Sequence, residues 1–248
     1  MYPTRIALVC LARTACINAV MTSRGMQHIG MAFMLEPALR HLYPSPAKQA
    51  TAFARYTGSS NTHPFLVPLY AGILLALEEN IATGILPPTA VTSIRQPLAT
   101  TLSALGDALF SGTLLPLWAL VCVNLMLCGY IRQALVVSII LCIMQILFRI
   151  SSFFYALRRG LATLVLLRQM DAINWADRLK IANALLTALA LWHLPYSSVQ
   201  PFPWPGCTLG MVSLLLAAWL VARLHFPRLL LWCAVFCAFL MDFSWAGM

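Results

Sequence analysis

From residue 114 to the carboxyl terminus, charges are so sparse that apolar runs of bilayer-crossing length follow one another. That single feature excludes most folds open to a chain of 248 residues. A transmembrane helix takes roughly 17 to 25 residues. Five runs approach or reach that length, at about 114–130, 132–148, 181–195, 208–224 and 229–243, the shorter ones depending on tilt or local bilayer thinning. The run Leu161 to Leu167 is too short to cross. The whole chain is 61% hydrophobic and only 9% charged, where a soluble domain is about a quarter charged. Seven acidic and sixteen basic residues cannot cover a water-facing shell, so lipid must face much of the surface.

The net charge of +9 does not indicate nucleic acid, because the basic residues are scattered between apolar runs with no dense stripe and no interleaved aromatic set. Their arrangement encodes topology instead, since short loops rich in Lys and Arg stay in the cytoplasm. With the amino terminus inside, the basic loop 149–180 (Arg149, Arg158, Arg159, Arg168, Arg178, Lys180) and the turn Arg223 to Arg228 also fall inside. The uncharged, Pro-rich loop His193 to Gly206 and the carboxyl terminus then fall outside. The eight cysteines lack a C-x-x-C spacing and sit mostly in apolar stretches, so neither a disulfide framework nor a zinc site is expected. Arg5 and Arg13 flank a short apolar run as in a signal peptide, but no small-residue cleavage site follows, and the start reads as mature protein.

Residues 1–60 carry apolar positions at helical spacing broken by Arg13, Arg24, His28, Glu36, Arg40 and His41. They predict amphipathic helices at the interface or packed on protein, with a solvated helical hairpin as the alternative. Residues 61–130 form a core region with polar motifs, and 131–248 a transmembrane region. Pro64 to Leu77 is an apolar run of 14 residues, short for a bilayer, that ends on Glu78, Glu79 and Asn80. Re-entry into the membrane is one use for such a length. After a loop from Thr83 to Thr92, a second run carries Gly106 and Asp107 before Gly112 and Pro116 interrupt it, as in a discontinuous transporter helix.

These interruptions supply the candidate site. Asp107 lies among Leu102, Leu105, Leu109 and Phe110, and a carboxylate at membrane depth costs at least about 2.5–3.5 kcal/mol without partners or water. It is expected to accept hydrogen bonds from a polar substrate or a partner subunit, the alternative being a buried helix cap. Glu78 and Glu79 point about 100° apart on a helix and cannot share a proton, which fits hydroxyl recognition better than acid–base catalysis. Asn61, Thr62 and His63 add donors and acceptors just before Pro64, which favours a first helical turn. No second His or Cys stands at metal spacing, and no P-loop, dinucleotide fingerprint or nucleophile elbow is present, so no metal, cofactor or catalytic residue is expected.

The stretch Asn61-Thr62-His63-Pro64-Phe65, then Gly72, Leu75-Ala76-Leu77-Glu78-Glu79 and Gly106-Asp107-Ala108-Leu109-Phe110 resembles the middle of IID subunits of mannose-family (mannose/fructose/sorbose) phosphotransferase permeases. Met26-Gln27, Gly30, Pro37-Ala38, Leu42-Tyr43 and Arg55 extend the likeness upstream, over roughly residues 20–120. Ser59-Ser60 stands where the family has Phe-Phe, and Leu115 where it has Arg. The resemblance implies an all-α integral membrane protein with amphipathic amino-terminal helices and re-entrant hairpins in a bacterial inner membrane. It implies pairing with a IIC subunit to carry a hexose or amino sugar, and assembly as a trimer of IIC–IID pairs. Phosphate would come from the cytoplasmic IIB and IIA components, leaving this subunit non-catalytic. Asn61, Thr62, His63, Glu78, Glu79 and Asp107 would line or support a polar site near IIC. A second expectation is a structural or regulatory subunit of the same fold without transport activity.

Overall fold

The computed structural model describes residues 2–169 and 171–193, and every regular element among them is helical. Helices α1 (Thr4–Arg13), α2 (His28–Leu42) and α3 (Pro46–Ala54) precede α4 (Val67–Ala82). Helix α5 (Thr89–Gly106) runs through a π-helical segment, Asp107–Leu114, into α6 (Leu115–Leu127). Helix α7 (Ile131–Arg159) turns through a 3-10 step, Gly160–Ala162, into α8 (Thr163–Gln169), and α9 spans Ala172–His193.

Helix α4 is the centre of the core. It carries the run that is short for a bilayer, and eleven of its sixteen residues are buried, from Val67 to Glu78. A helix apolar on all faces must be covered on all faces. Protein does the covering here, with α7, α2 and α5 packed around it. Gly72 sets the closest approach: a Cβ there would lie 2.5 Å from the Phe153 carbonyl oxygen and 2.8 Å from Ala156 Cβ on α7. The helix begins at Val67 with Pro68 in its first turn, not at Pro64. The reason is local, since the His63 carbonyl accepts from the N–H groups of both Leu66 (2.9 Å) and Val67 (3.1 Å) and holds 64–66 as a preceding turn.

The amino-terminal helices pack on protein. Met31, Met34, Leu35, Ala38 and Leu39 recur at helical spacing along α2 and join α4 in one continuous core, together with Ala7 and Cys10 of α1. Their polar edge is closed by Glu36, which pairs with Arg13 at 2.6 Å and with Arg40 at 2.8 Å.

Among the described residues, two continuous helical stretches are long and apolar enough to cross a membrane, Thr89–Leu127 and Ile131–Gln169. They contain the expected runs 114–130 and 132–148 almost entirely. The part of the run at 181–195 that is described, to His193, falls on α9, whose first half carries Asp177, Arg178 and Lys180; the runs 208–224 and 229–243 lie outside the described residues. The interruption read at Gly106, Gly112 and Pro116 is a change of helical pitch, not a break. Pro116 has no N–H to give the Gly112 carbonyl, and in α register its ring would collide with that carbonyl. Widening the preceding turns to π register relieves the collision, and α6 restarts with Pro116 in its first turn. The Thr113 hydroxyl donates to the Leu109 carbonyl, and Asn183 Nδ2 of α9 donates to the Thr113 carbonyl at 3.0 Å, so carbonyls of the widened segment find side-chain donors.

Candidate functional site

The segment joining α3 to α4 is threaded between the amino-terminal loop and the π-helical segment. Gln27 grips it from one side: its amide oxygen accepts from the Thr62 N–H at 2.8 Å and its Nε2 donates to the Thr62 carbonyl at 3.0 Å. The side-chain amide thus imitates one rung of a β-ladder. A backbone bond from the Gln27 N–H to the Ser60 carbonyl at 2.9 Å completes the junction. Thr62 is buried by this grip, and Asn61, immediately before it, is exposed.

His63 fills the other side, and it can do so because residue 106 is glycine. A Cβ at Gly106 would sit 2.2 Å from His63 Cβ and 2.4 Å from its Cγ. The imidazole stacks on Phe110 with centroids 5.5 Å apart and meets Phe65 edge-on at 5.4 Å. Its Nδ1 accepts from the Phe65 N–H at 3.3 Å, which assigns the proton to Nε2 for donation to Ser111 Oγ at 3.0 Å. Burial lowers the pKa of His63 below the ordinary 6.5, against the opposing field of Asp107.

Asp107 opens the π-helical segment, is exposed, and has no hydrogen bond or ion pair to its carboxylate among the described residues. It is therefore not a buried, backbone-satisfied cap. No further charge follows it in the sequence until Arg132. Asp107 thus stands at the head of a long charge-free stretch, one residue from the glycine that carries His63.

Glu78 is placed differently. It is fully buried, and all its acceptor directions are filled. Arg55 approaches bidentately, Nη2 to Oε2 at 2.6 Å and Nε to Oε1 at 3.0 Å, while the Tyr43 hydroxyl donates to Oε2 at 2.8 Å and the Tyr56 hydroxyl to Oε1 at 2.7 Å. Each carboxylate oxygen thus accepts two bonds, which leaves none for a sugar hydroxyl. Burial and the bond to Glu78 push Tyr43 up to about 12, and burial with the Glu78 charge pushes Tyr56 well above its usual 10. Burial would lower Arg55, but the bond and charge of Glu78 outweigh it and raise the guanidinium further. Glu79, half-buried, belongs to the wall of a separate cavity at the end of α4.

Two participants escape a reading of the sequence. Arg149 looks there like one of a cluster of topology-setting bases. In the fold its Nη1 donates to the Pro64 carbonyl at 3.1 Å and its Nη2 to Thr14 Oγ1 at 3.2 Å, tying α7 to the Asn61-to-Phe65 stretch beside His63. The available signal was its position, a base placed directly after the apolar run of α7. Ser111 carries no signal except its place four residues after Asp107, one turn along the same helix.

With this geometry in place, the chain can be set beside known proteins. Residues 5–188 match the family model described as the PTS system mannose/fructose/sorbose family IID component. The chain belongs to that family. The mannose-specific EIID component of Escherichia coli strain K12 is 30% identical over 138 residues, 55% of this chain and 49% of that protein. The fructose permease IID component of Bacillus subtilis strain 168 is 29% identical over 136 residues, 54% of this chain and 48% of that one. This IID component therefore spans about half the length of the curated relatives it matches. A solved structure described only as a membrane protein superposes with a TM-score of 0.76 at 19% identity, over 98% of this chain and 97% of that one. A complex of the mannose transporter ManYZ with microcin E492 gives 0.54 at 19% identity over the same shares, a likeness of fold alone.

Proposed function

We propose that this IID component is the membrane subunit that, with a IIC subunit, forms the pathway for a hexose or amino sugar taken up with phosphorylation by IIB. It acts as a multi-pass protein of a bacterial inner membrane, amino terminus inside, in trimers of IIC–IID pairs. The observation that carries the reading is Asp107, an exposed carboxylate without a protein partner among the described residues, on a helix long and apolar enough to cross a bilayer. Such a group at the edge of a long apolar stretch needs water, a polar ligand or a partner chain against it. Asn61 and Asp107 present acceptors and donors to that ligand or to IIC. Thr62, His63 and Glu78 support them, His63 by fixing the π-helical segment and Glu78 by locking α3 to α4, while Glu79 stands apart at the end of α4.

Uptake of radiolabelled mannose, fructose and glucosamine in cells expressing the chain with its neighbouring IIC and IIB components tests this. Asp107→Asn should lower uptake at least about tenfold, the scale of one charged hydrogen bond, while IIC still co-purifies. Unchanged uptake would remove Asp107 from the pathway. A second reading, a subunit that keeps the fold without transporting, is favoured by Ser59-Ser60 and Leu115 standing where the family pattern has Phe-Phe and Arg. It predicts no uptake from the unmodified chain although IIC binds.

A further inference from the structure

A cavity of about 310 Å³ lies where the end of α4 meets the turn from α7 into α8, away from His63 and Asp107. Its wall combines two kinds of surface. Ala76, Leu77, Leu86, Leu157 and Leu161 are apolar, while Asn80, Arg158 and Arg159 supply hydrogen-bond donors. Gly160, at φ 54, makes the sharp turn that brings Leu161 round to face the end of α4. Arg158 and Arg159 are exposed, and among the described residues neither has a carboxylate partner. Glu79 also lines the cavity, but it already has an interaction of its own, and the two guanidinium groups outnumber it.

We propose that this cavity binds the phosphodiester headgroup of an anionic phospholipid. Two arginines beside an amide supply the charge-assisted donors a phosphate diester requires. The leucine and alanine side chains are the smaller part of the exposed wall, but they are what a lipid can use and free phosphate cannot. Position agrees as well: the cavity sits at the end of α7, which belongs to a stretch long and apolar enough to cross a membrane and which exposes Ile150 and Tyr155 just before the arginines. Basic pockets at the ends of transmembrane helices are suited to anionic headgroups on general electrostatic grounds.

Native mass spectrometry of the full chain in detergent, titrated with dioleoyl-phosphatidylglycerol or dioleoyl-phosphatidylcholine, reads the binding directly. Phosphatidylglycerol should be retained and phosphatidylcholine not. Arg158→Gln with Arg159→Gln should weaken retention about 25-fold, taking roughly fivefold for each base beside an anionic lipid. Arg168→Gln, which does not line the cavity, should leave it unchanged. Ala162 also lines the cavity, and Ala162→Trp, which partly fills it with both arginines kept, should weaken retention too, so loss does not depend on one pair of variants. Equal retention of the two lipids, or retention that survives both the double variant and the partly filled cavity, overturns the proposal. Displacement of phosphatidylglycerol by millimolar inorganic phosphate overturns it too, since it would mark a site for free phosphate.

Discussion

At Gly106 one hydrogen atom in place of a methyl group lets an imidazole lie against a helix backbone. Gly106→Ala puts a Cβ within 2.4 Å of the His63 ring, and neither the ring, clasped by Phe65, Phe110 and Ser111, nor the backbone can yield freely. Overpacking of this kind costs about 1–3 kcal/mol, so the thermal midpoint of the purified chain should fall and uptake should fall with it. The same imidazole makes stability depend on acid. Its pKa is lowered in the fold, so the unfolded chain takes up the proton first. The stability contributed by neutral His63 is present above 6.5 and is lost as pH falls from there toward the folded-state value. Thermal unfolding at about pH 7.5 and about pH 5.5 should show this acid sensitivity in the native chain and lose that component in His63→Gln. Glu78 gives the opposite signature, structural rather than functional. Glu78→Gln turns an acceptor into a donor facing Arg55, and breaking a buried pair costs about 3–5 kcal/mol. Folded protein should drop sharply, and whatever folds should keep its apparent affinity for sugar; a changed affinity at normal stability would return Glu78 to the pathway.

Among the elements, the π-helical segment is the one whose shape the sequence announces least directly. Gly106, Gly112 and Pro116 read as a break because glycine and proline weaken α-helices, and that much was legible. What the letters do not carry is that α9 lies alongside and that Asn183 can supply a donor to a carbonyl of a widened helix. That contact belongs to tertiary packing. The same distinction runs through the motif positions. Tyr43, Arg55 and Glu78 stand 12 and 23 residues apart, and polarity alone says that a buried carboxylate needs donors without saying which. Gln27 and Thr62, 35 residues apart, are another such pair. Helical periodicity, the buried stripe of α2 and the apolar length of α6 and α7 were legible because they depend on local spacing. The interlocking was not, because it depends on which surfaces meet. Pro116→Ala tests the account of the segment. With the ring gone, α register can propagate from α5 to α6, which would turn Asp107 by up to about one residue's rotation, 100°, relative to α6. Stability should hold or rise slightly while uptake falls; unchanged uptake would separate the widened pitch from function.

For the molecule as a whole, the two apolar stretches fix a geometry that can be checked without any sugar. The helix from Thr89 to Leu127 and the helix from Ile131 to Gln169 are joined by the short turn at Cys128, Gly129 and Tyr130, with Gly129 at φ 83. If both cross, that turn is on one face of the membrane, and the loop before Thr89 and the turn at Gly160 are on the other. Charge distribution agrees with this pairing. No charge occurs between Asp107 and Arg132 or between Arg132 and Arg149, so if both helices cross, Asp107 and Arg149 would mark the same edge of the apolar slab, where His63 and Pro64 lie between their helices. The polar site then sits at an end of the slab and not at its middle, which lowers the cost of leaving Asp107 charged. On the positive-inside rule, the excess of arginine and lysine from Arg158 to Lys180 would put that edge in the cytoplasm, the orientation proposed above. Cys128 is exposed and Ile85 is 71% exposed, which makes them reporters for the two faces. With the other cysteines replaced by alanine, a membrane-impermeant maleimide should label Cys128 in spheroplasts. In a Cys128→Ala background, Ile85→Cys should react only after the membrane is opened. The reverse pattern would invert the topology and put the site on the outer edge; labelling of both from one side would mean that these helices do not cross as a pair.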